Sequence, residues 1–87
     1  MKGRALVAWN LRRIRVRRGL SQERLAFDAD VDRSYVGGLE RQEENPTVDV
    51  LDRLAVTLDI SISDFFKQPH KGAARPKPLR SGRRPSK

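Results

Sequence analysis

LSQERLAFDADVDRSYVGGLER, residues Leu20 to Arg41, reads as two short helices joined by a tight turn. Ser21 is a good N-cap, its hydroxyl able to accept from a free backbone N–H, and Gln-Glu-Arg-Leu-Ala behind it are all good helix formers. Glu23 falls in the first turn, where the helix dipole favours an acid. Leu25, Ala26 and Ala29 give this helix an apolar stripe. The chain must then turn within Asp28-Ala29-Asp30-Val31, and Asp30 is the expected pivot, because aspartate tolerates a left-handed backbone better than most residues. Asp32 offers a second N-cap. From it, Arg33-Ser34-Tyr35-Val36-Gly37-Gly38-Leu39-Glu40-Arg41 places Val36, Leu39 and Glu40 on one face, with Arg33, Ser34, Gly37 and Gly38 expected on the opposite, outward face.

Two adjacent glycines inside a helix cost roughly 1 kcal/mol each relative to alanine, so Gly37 and Gly38 ask for a reason. A helix lying in the DNA major groove supplies one, because bare backbone lets flanking side chains reach base edges. A packing contact supplies another. The sequence leaves both open.

Upstream, a first helix is expected from Arg4 or Ala5 to Arg18, ended by Gly19. Val7, Leu11, Ile14 and Arg18 share one spacing, flanked by Leu6 and Trp9. Arg12 and Arg13 read as a solvated face, whereas Arg17 and Arg18, beside the loop into the Ser21 helix, are candidates for phosphate contact. Downstream, residues 42–46 form a polar loop closed by Asn45-Pro46. Thr47 caps a fourth helix with a Val48, Leu51, Leu54, Ala55, Leu58 stripe, and Ser61 with Asp64 makes a capping arrangement opening a last short helix, Ile62 to Phe66. The pattern predicts an all-α fold, a compact five-helix bundle over residues 1–66. Its expected core is Leu11, Ile14, Leu20, Leu25, Ala26, Val31, Val36, Leu39, Leu51, Leu54, Leu58 and Ile60.

The 87 residues allow one domain with a small core. There is no cysteine, so no disulfide framework or thiolate metal site, and a single histidine, His70, builds no metal centre by itself. Neither a membrane-length apolar run nor a signal-peptide pattern is present in the sequence, and a cytoplasmic location is the expectation. The formal charge of +8 is unevenly spread: residues 1–66 carry 11 Lys/Arg and 11 Asp/Glu, while 67–87 carry 8 Lys/Arg and no acid. Residues 67–87, KQPHKGAARPKPLRSGRRPSK, are rich in proline and positive charge without periodicity, and are expected to be a disordered basic tail. Such a tail adds sequence-independent phosphate contacts or serves solubility alone. Its GRRP lacks the Arg-Gly-Arg-Pro core of a minor-groove hook. Residues 1–18 carry seven basic groups and no acid, so the folded part has a basic and an acidic side, and a basic side attracts phosphate.

LRRIRVRRGLSQERLA, VDRSYVGGLER and NPTVDVLDRLAVTLDIS, closed by DFF, together resemble the Cro/repressor-type helix-turn-helix family, also called XRE, of bacterial and phage transcriptional regulators. The resemblance covers about Leu11 to Phe66 and implies a lambda-repressor-like DNA-binding fold. DRSYVGGLER also resembles the small controller proteins of restriction–modification systems. By position, Arg15 is similar to the family's helix-1 arginine that pairs with the glutamate ending the recognition helix, here Glu40. Gln22 matches the family glutamine that hydrogen-bonds a phosphate. Gln42, Asp30 and Asp59 stand where the family commonly has glycine, and Glu43 and Glu44 stand where it commonly has Lys or Arg. Two carboxylates beside phosphate weaken binding, so either the loop points away or the chain binds DNA modestly without its tail.

The resemblance implies double-stranded DNA as partner, a transcription-regulating role such as a repressor's, and no cofactor. Arg33 and Ser34 are expected at base edges, with Gly37 and Gly38 admitting the approach; Arg33 suits a bidentate contact to guanine. Arg17, Arg18, Ser21, Gln22, Tyr35, Arg41 and Asn45 are the expected phosphate contacts, Tyr35 alternatively packing between helices. One short helix reads few base pairs, so a homodimer is expected, with Ile62, Phe65 or Phe66 at its contact, or with both rings capping the core instead. No catalytic constellation is readable, and an enzyme is not expected. The competing reading is a protein-interaction module, antitoxin or coactivator-like, in which Gly37 and Gly38 accommodate a protein partner.

Overall fold

A computed structural model of the chain describes residues 1–69. Among them are four α-helices, α1 Gly3–Arg17, α2 Gln22–Ala29, α3 Arg33–Glu40 and α4 Val48–Leu58, followed by a 3-10 helix, Ile62–Phe66. The last element has the bounds of the short helix expected there and takes the 3-10 form. With five residues it closes only tight i→i+3 turns, held by a capping box in which the Ser61 hydroxyl accepts from the Ser63 N–H and the Ser61 N–H donates to Asp64 at 3.0 Å. The Lys67 ammonium, and then that Ser61 N–H, hold the Asp64 carboxyl below the usual carboxylate range.

All four α-helices stop in the same way. In each, one N–H reaches back five residues and the preceding N–H three: Leu20 to Arg15 and Gly19 to Val16, Val31 to Ala26 and Asp30 to Phe27, Glu43 to Gly38 and Gln42 to Leu39, Ile60 to Ala55 and Asp59 to Val56. This is the Schellman closure, which needs one residue in the left-handed region. Gly19 takes it freely, with φ 74 degrees. Asp30 (φ 58), Gln42 (φ 64) and Asp59 (φ 58) take it as well. They do so against the Cβ clash that makes the region unfavourable for residues with side chains. These are the three positions at which the resemblance implies glycine. At helix starts, Ser21 accepts from the Arg24 N–H at 2.9 Å and Thr47 from the Val50 N–H at 3.1 Å. Asp32 does not cap α3 with its side chain, contrary to expectation, because its carboxylate takes the Ser34 hydroxyl instead.

α1 packs against α3 and the 3-10 helix, and α2 packs against α3 and α4. Leu11, Leu25, Val36, Leu54 and Phe65 are fully buried where these elements meet. Leu20, Val31 and Ile60 are only partly buried and pack on the rim of this core, whereas Val7, Ala29, Ala55 and Phe65 belong to it. Phe65 as a dimer contact is thus corrected: its ring fills the core and presents no surface.

Asn10 is buried on the apolar side of α1. The carbonyls of Leu6 at 3.0 Å, Phe65 at 2.9 Å and Lys67 at 2.8 Å share the two N–H groups of its amide nitrogen, and its oxygen accepts from Arg13 at 2.9 Å. A buried amide left unpaired costs about 1–3 kcal/mol, so these partners fasten the C-terminal end to α1. The Lys67 carbonyl, one residue past the expected boundary at 66, is among these partners. The basic tail from residue 70 onward lies outside the described residues.

Candidate nucleic-acid interface

Ser21 and Gly19 launch α2, Asp30 turns the chain, and α3 follows after two residues, so that α2 and α3 form a helix-turn-helix. The turn is braced from behind by Arg53 of α4, whose guanidinium donates to the Asp30 carbonyl at 3.0 Å.

The buried end of α3 is held by charge. Arg15 Nε donates to Glu40 Oε2 at 2.6 Å and Nη2 to Oε1 at 3.0 Å, while Nη1 donates to the Leu20 carbonyl at 2.7 Å. Gln22 adds its amide nitrogen to Glu40 Oε1 at 3.0 Å. The Arg15 side chain is 6% exposed and that of Glu40 1%. This two-pronged pair therefore sits where charge-assisted bonds are strong and an unpaired charge is costly. It ties α1, the start of α2 and the end of α3 into one unit. Gln22 thus contacts the glutamate, and one amide N–H remains for a further acceptor.

The opposite end of α3 faces solvent. Arg33 and Ser34 are exposed and Tyr35 is half-buried. Burial, with the Glu44 carboxylate adding to it, raises the Tyr35 phenol above its ordinary pKa, so it remains a protonated donor at neutral pH. Arg17, Arg18, Ser21, Arg41 and Asn45 are exposed.

Gly37 and Gly38 do not lie bare, which corrects their expected outward exposure. Both are buried beneath residues that follow them: a Cβ on Gly37 would meet Arg41 Nη1 at 3.0 Å and Gln22 Oε1 at 3.5 Å, and one on Gly38 would meet Glu44 Cγ at 2.7 Å. The glycines are seats for Arg41 and Glu44. The loop after α3 folds back onto the helix and does not point away from it.

The candidate readers have internal partners. Arg33 Nη1 pairs with Glu23 Oε2 at 3.3 Å, Arg41 Nε with Glu43 Oε1 at 3.0 Å, and the Ser34 hydroxyl with Asp32. Sequence reading identifies none of these acids as a partner of α3. It also overlooks Asn10, although a polar residue spaced four from Leu6 and Ile14 on an apolar face is a readable signal of a buried amide. The described residues contain no group of acids and histidines arranged to hold a metal ion, and no helix long and apolar enough to cross a membrane.

The Helix-turn-helix family model HTH_3 matches residues 11–65. A hypothetical transcription factor of Neisseria meningitidis is 34% identical over 68 residues, 78% of this chain and 64% of the relative, so the likeness spans under two thirds of that protein. Its crystal structure superposes with a TM-score of 0.77 at 33% identity, over 80% of each chain. The restriction-modification controller protein C.AhdI of Aeromonas hydrophila gives 0.70 at 43% identity, over 72% of this chain and 96% of that one. The controller protein C.Esp1396I, solved as a tetramer in complex with its natural 35 base-pair operator, gives 0.69 at 32% identity, over 76% and 87%. With this fold, this turn and these relatives, the chain belongs to the XRE-type helix-turn-helix family of DNA-binding transcriptional regulators.

Proposed function

We propose that the chain regulates transcription by binding double-stranded DNA sequence-specifically, with α3 in the major groove and a second copy on a neighbouring half-site. The observation that carries this reading is the polarity of α3. Its last residue, Glu40, is locked by Arg15 and Gln22 into the body of the fold, and its first residues, Arg33 and Ser34, stand exposed, Arg33 with free donors beyond the one given to Glu23 and Ser34 with its hydroxyl on Asp32. A rigid base and a projecting N-terminal turn are what base-edge recognition by a short helix requires.

Arg33 offers its fork to guanine and Ser34 its hydroxyl to a neighbouring base. Tyr35, Ser21, the spare Gln22 N–H, Arg17, Arg18, Arg41 and Asn45 set the frame against phosphates. Support comes from C.Esp1396I, which has been solved bound to its operator and also with an arginine, a threonine and a tyrosine at three consecutive positions each replaced. The order arginine, hydroxyl residue, tyrosine recurs here as Arg33-Ser34-Tyr35. For the homodimer, Phe66 is 45% exposed beside half-buried Ile62 and remains available as a contact.

The test starts by enriching duplexes from a random pool with the intact chain, then titrating wild type and Arg33→Ala against the enriched and a scrambled duplex. Loss of a bidentate base contact costs about 1–3 kcal/mol, roughly 5- to 150-fold, on the enriched duplex alone. Equal weakening on both duplexes would remove Arg33 from base reading. Light scattering across protein concentrations tests the dimer, and a concentration-independent monomer mass counts against it.

A further inference from the structure

Four carboxylates meet the exposed groups of the helix-turn-helix: Glu23 on Arg33, Asp32 on Ser34, Glu43 on Arg41, and Glu44 across Gly38. Arg33 and Arg41 are outnumbered by these four acids, so α3 and its flanks add no positive excess of the kind an arbitrary duplex selects to what exposed Arg17 and Arg18 supply. Yet the pairing consumes few donors. Glu23 takes one N–H of Arg33, leaving the remainder of a five-donor fork, and Glu43 takes only the Nε–H of Arg41.

We propose that Glu23, Glu43 and Glu44 are specificity-determining residues that cancel the charge of the reading face while leaving its directional donors in place. This rests on the reading of α3 as the DNA-contacting helix. A non-matching duplex offers the face chiefly phosphate charge, and a charge-neutral Arg–Glu pair gains little there, because counterion release requires an uncompensated cation. A matching duplex offers base-edge acceptors aligned with the remaining Arg33 donors, and a hydrogen bond to a base edge keeps its value when the guanidinium is paired behind. The acids therefore depress binding to arbitrary DNA more than to the cognate sequence. Glu44 contributes doubly, since its side chain packs on Gly38 and its charge acts on Tyr35.

The experiment compares full-length wild type with Glu23→Gln, with Glu43→Gln/Glu44→Gln, and with Asp59→Asn as control, on the duplex enriched by wild type and on a scrambled one, over a series of salt concentrations. Asp59 is exposed at the end of α4, and Asn tolerates its left-handed backbone. The double variant is expected to bind scrambled duplex about tenfold more tightly at low salt, with a steeper salt slope by nearly one unit for each arginine released to a phosphate. Affinity for the enriched duplex should rise by less, so the ratio between the two falls. Glu23→Gln should lower the ratio in the same direction, and Asp59→Asn should preserve it. Equal gains on both duplexes, no gain on either, or an equal fall in the ratio with Asp59→Asn overturns the proposal. A wild-type chain that enriches no sequence overturns the reading of α3 and this proposal with it; enrichment with an unchanged ratio in the variants overturns this proposal alone.

Discussion

Gly37 and Gly38 differ in what a methyl group would meet. At Gly37 the tight contact is the guanidinium end of Arg41, a mostly exposed and flexible side chain that can swing aside, and the contact to Gln22 is ordinary. Gly37→Ala should therefore gain helix propensity, with stability rising by about 0.5–1 kcal/mol as a higher urea midpoint with unchanged slope. A lower midpoint would mean that the seat of Arg41 on Gly37 outweighs the propensity gain. At Gly38 the contact is Cγ of Glu44, so the whole side chain must leave its place. The costly glycine pair is legible from sequence, and so is the need for close approach. What approaches is not, because helical periodicity carries no information on how residues 42–46 fold back over α3. The exposure of Arg33 and Ser34 is legible, since it follows from their phase relative to Val36 and Leu39; their acidic partners come from α2 and from Asp32, and short-range pattern reading does not pair them.

Whole elements are readable where capping and stripe agree, as in α2 and α4, whose Ser21 and Thr47 caps form as their residue types require. The last element is readable in its bounds and its capping box, but Ser61 and Asp64 announce a helix start and not which kind of helix follows. In five residues the 3-10 geometry suffices to bury Phe65. The Arg15–Glu40 pair is reachable through family resemblance, and its energetics depend on burial that sequence does not disclose. Glu40→Ala leaves the Arg15 guanidinium, 6% exposed, with only the Leu20 carbonyl, and strips Gln22 of its acceptor. Breaking a buried pair from one side costs about 3–5 kcal/mol, a large share of the roughly 5–15 kcal/mol that holds such a domain together. Denaturant unfolding followed by far-ultraviolet circular dichroism should show that loss. Arg15→Met/Glu40→Met should recover most of it, since two apolar groups of similar volume leave no charge stranded. A single-variant loss below about 1 kcal/mol would mean that the pair behaves as a solvated surface bridge.

At the scale of the whole molecule, charge and fold divide the chain differently. Residues 70–87 carry seven Lys/Arg and no acid, while the body before them is close to neutral. The composition break at Lys67 marks the expected end of the fold, yet the Lys67 carbonyl accepts from buried Asn10 at 2.8 Å and its ammonium lies 3.0 Å from Asp64. Composition marks where solvated residues begin, whereas a backbone carbonyl is available to a buried amide whatever its side chain is. Two truncations separate these boundaries. Ending the chain at residue 69 should leave the unfolding midpoint unchanged, weaken binding to scrambled duplex more than to the enriched one, and flatten the salt dependence by about 0.9 units of log–log slope for every lost phosphate contact. An unaltered slope would show that these cations do not sit on phosphates. Ending it at residue 66 removes those seven cations together with the Lys67 ammonium beside Asp64 and the Lys67 carbonyl, so the slope should flatten at least as much while the unfolding midpoint falls through the loss of both Lys67 contacts, Asn10 keeping the Leu6 and Phe65 carbonyls for its two N–H groups. Equal midpoints for the two truncations would show that the Phe65 and Leu6 carbonyls satisfy Asn10 without Lys67, placing the end of the folded unit at Phe66.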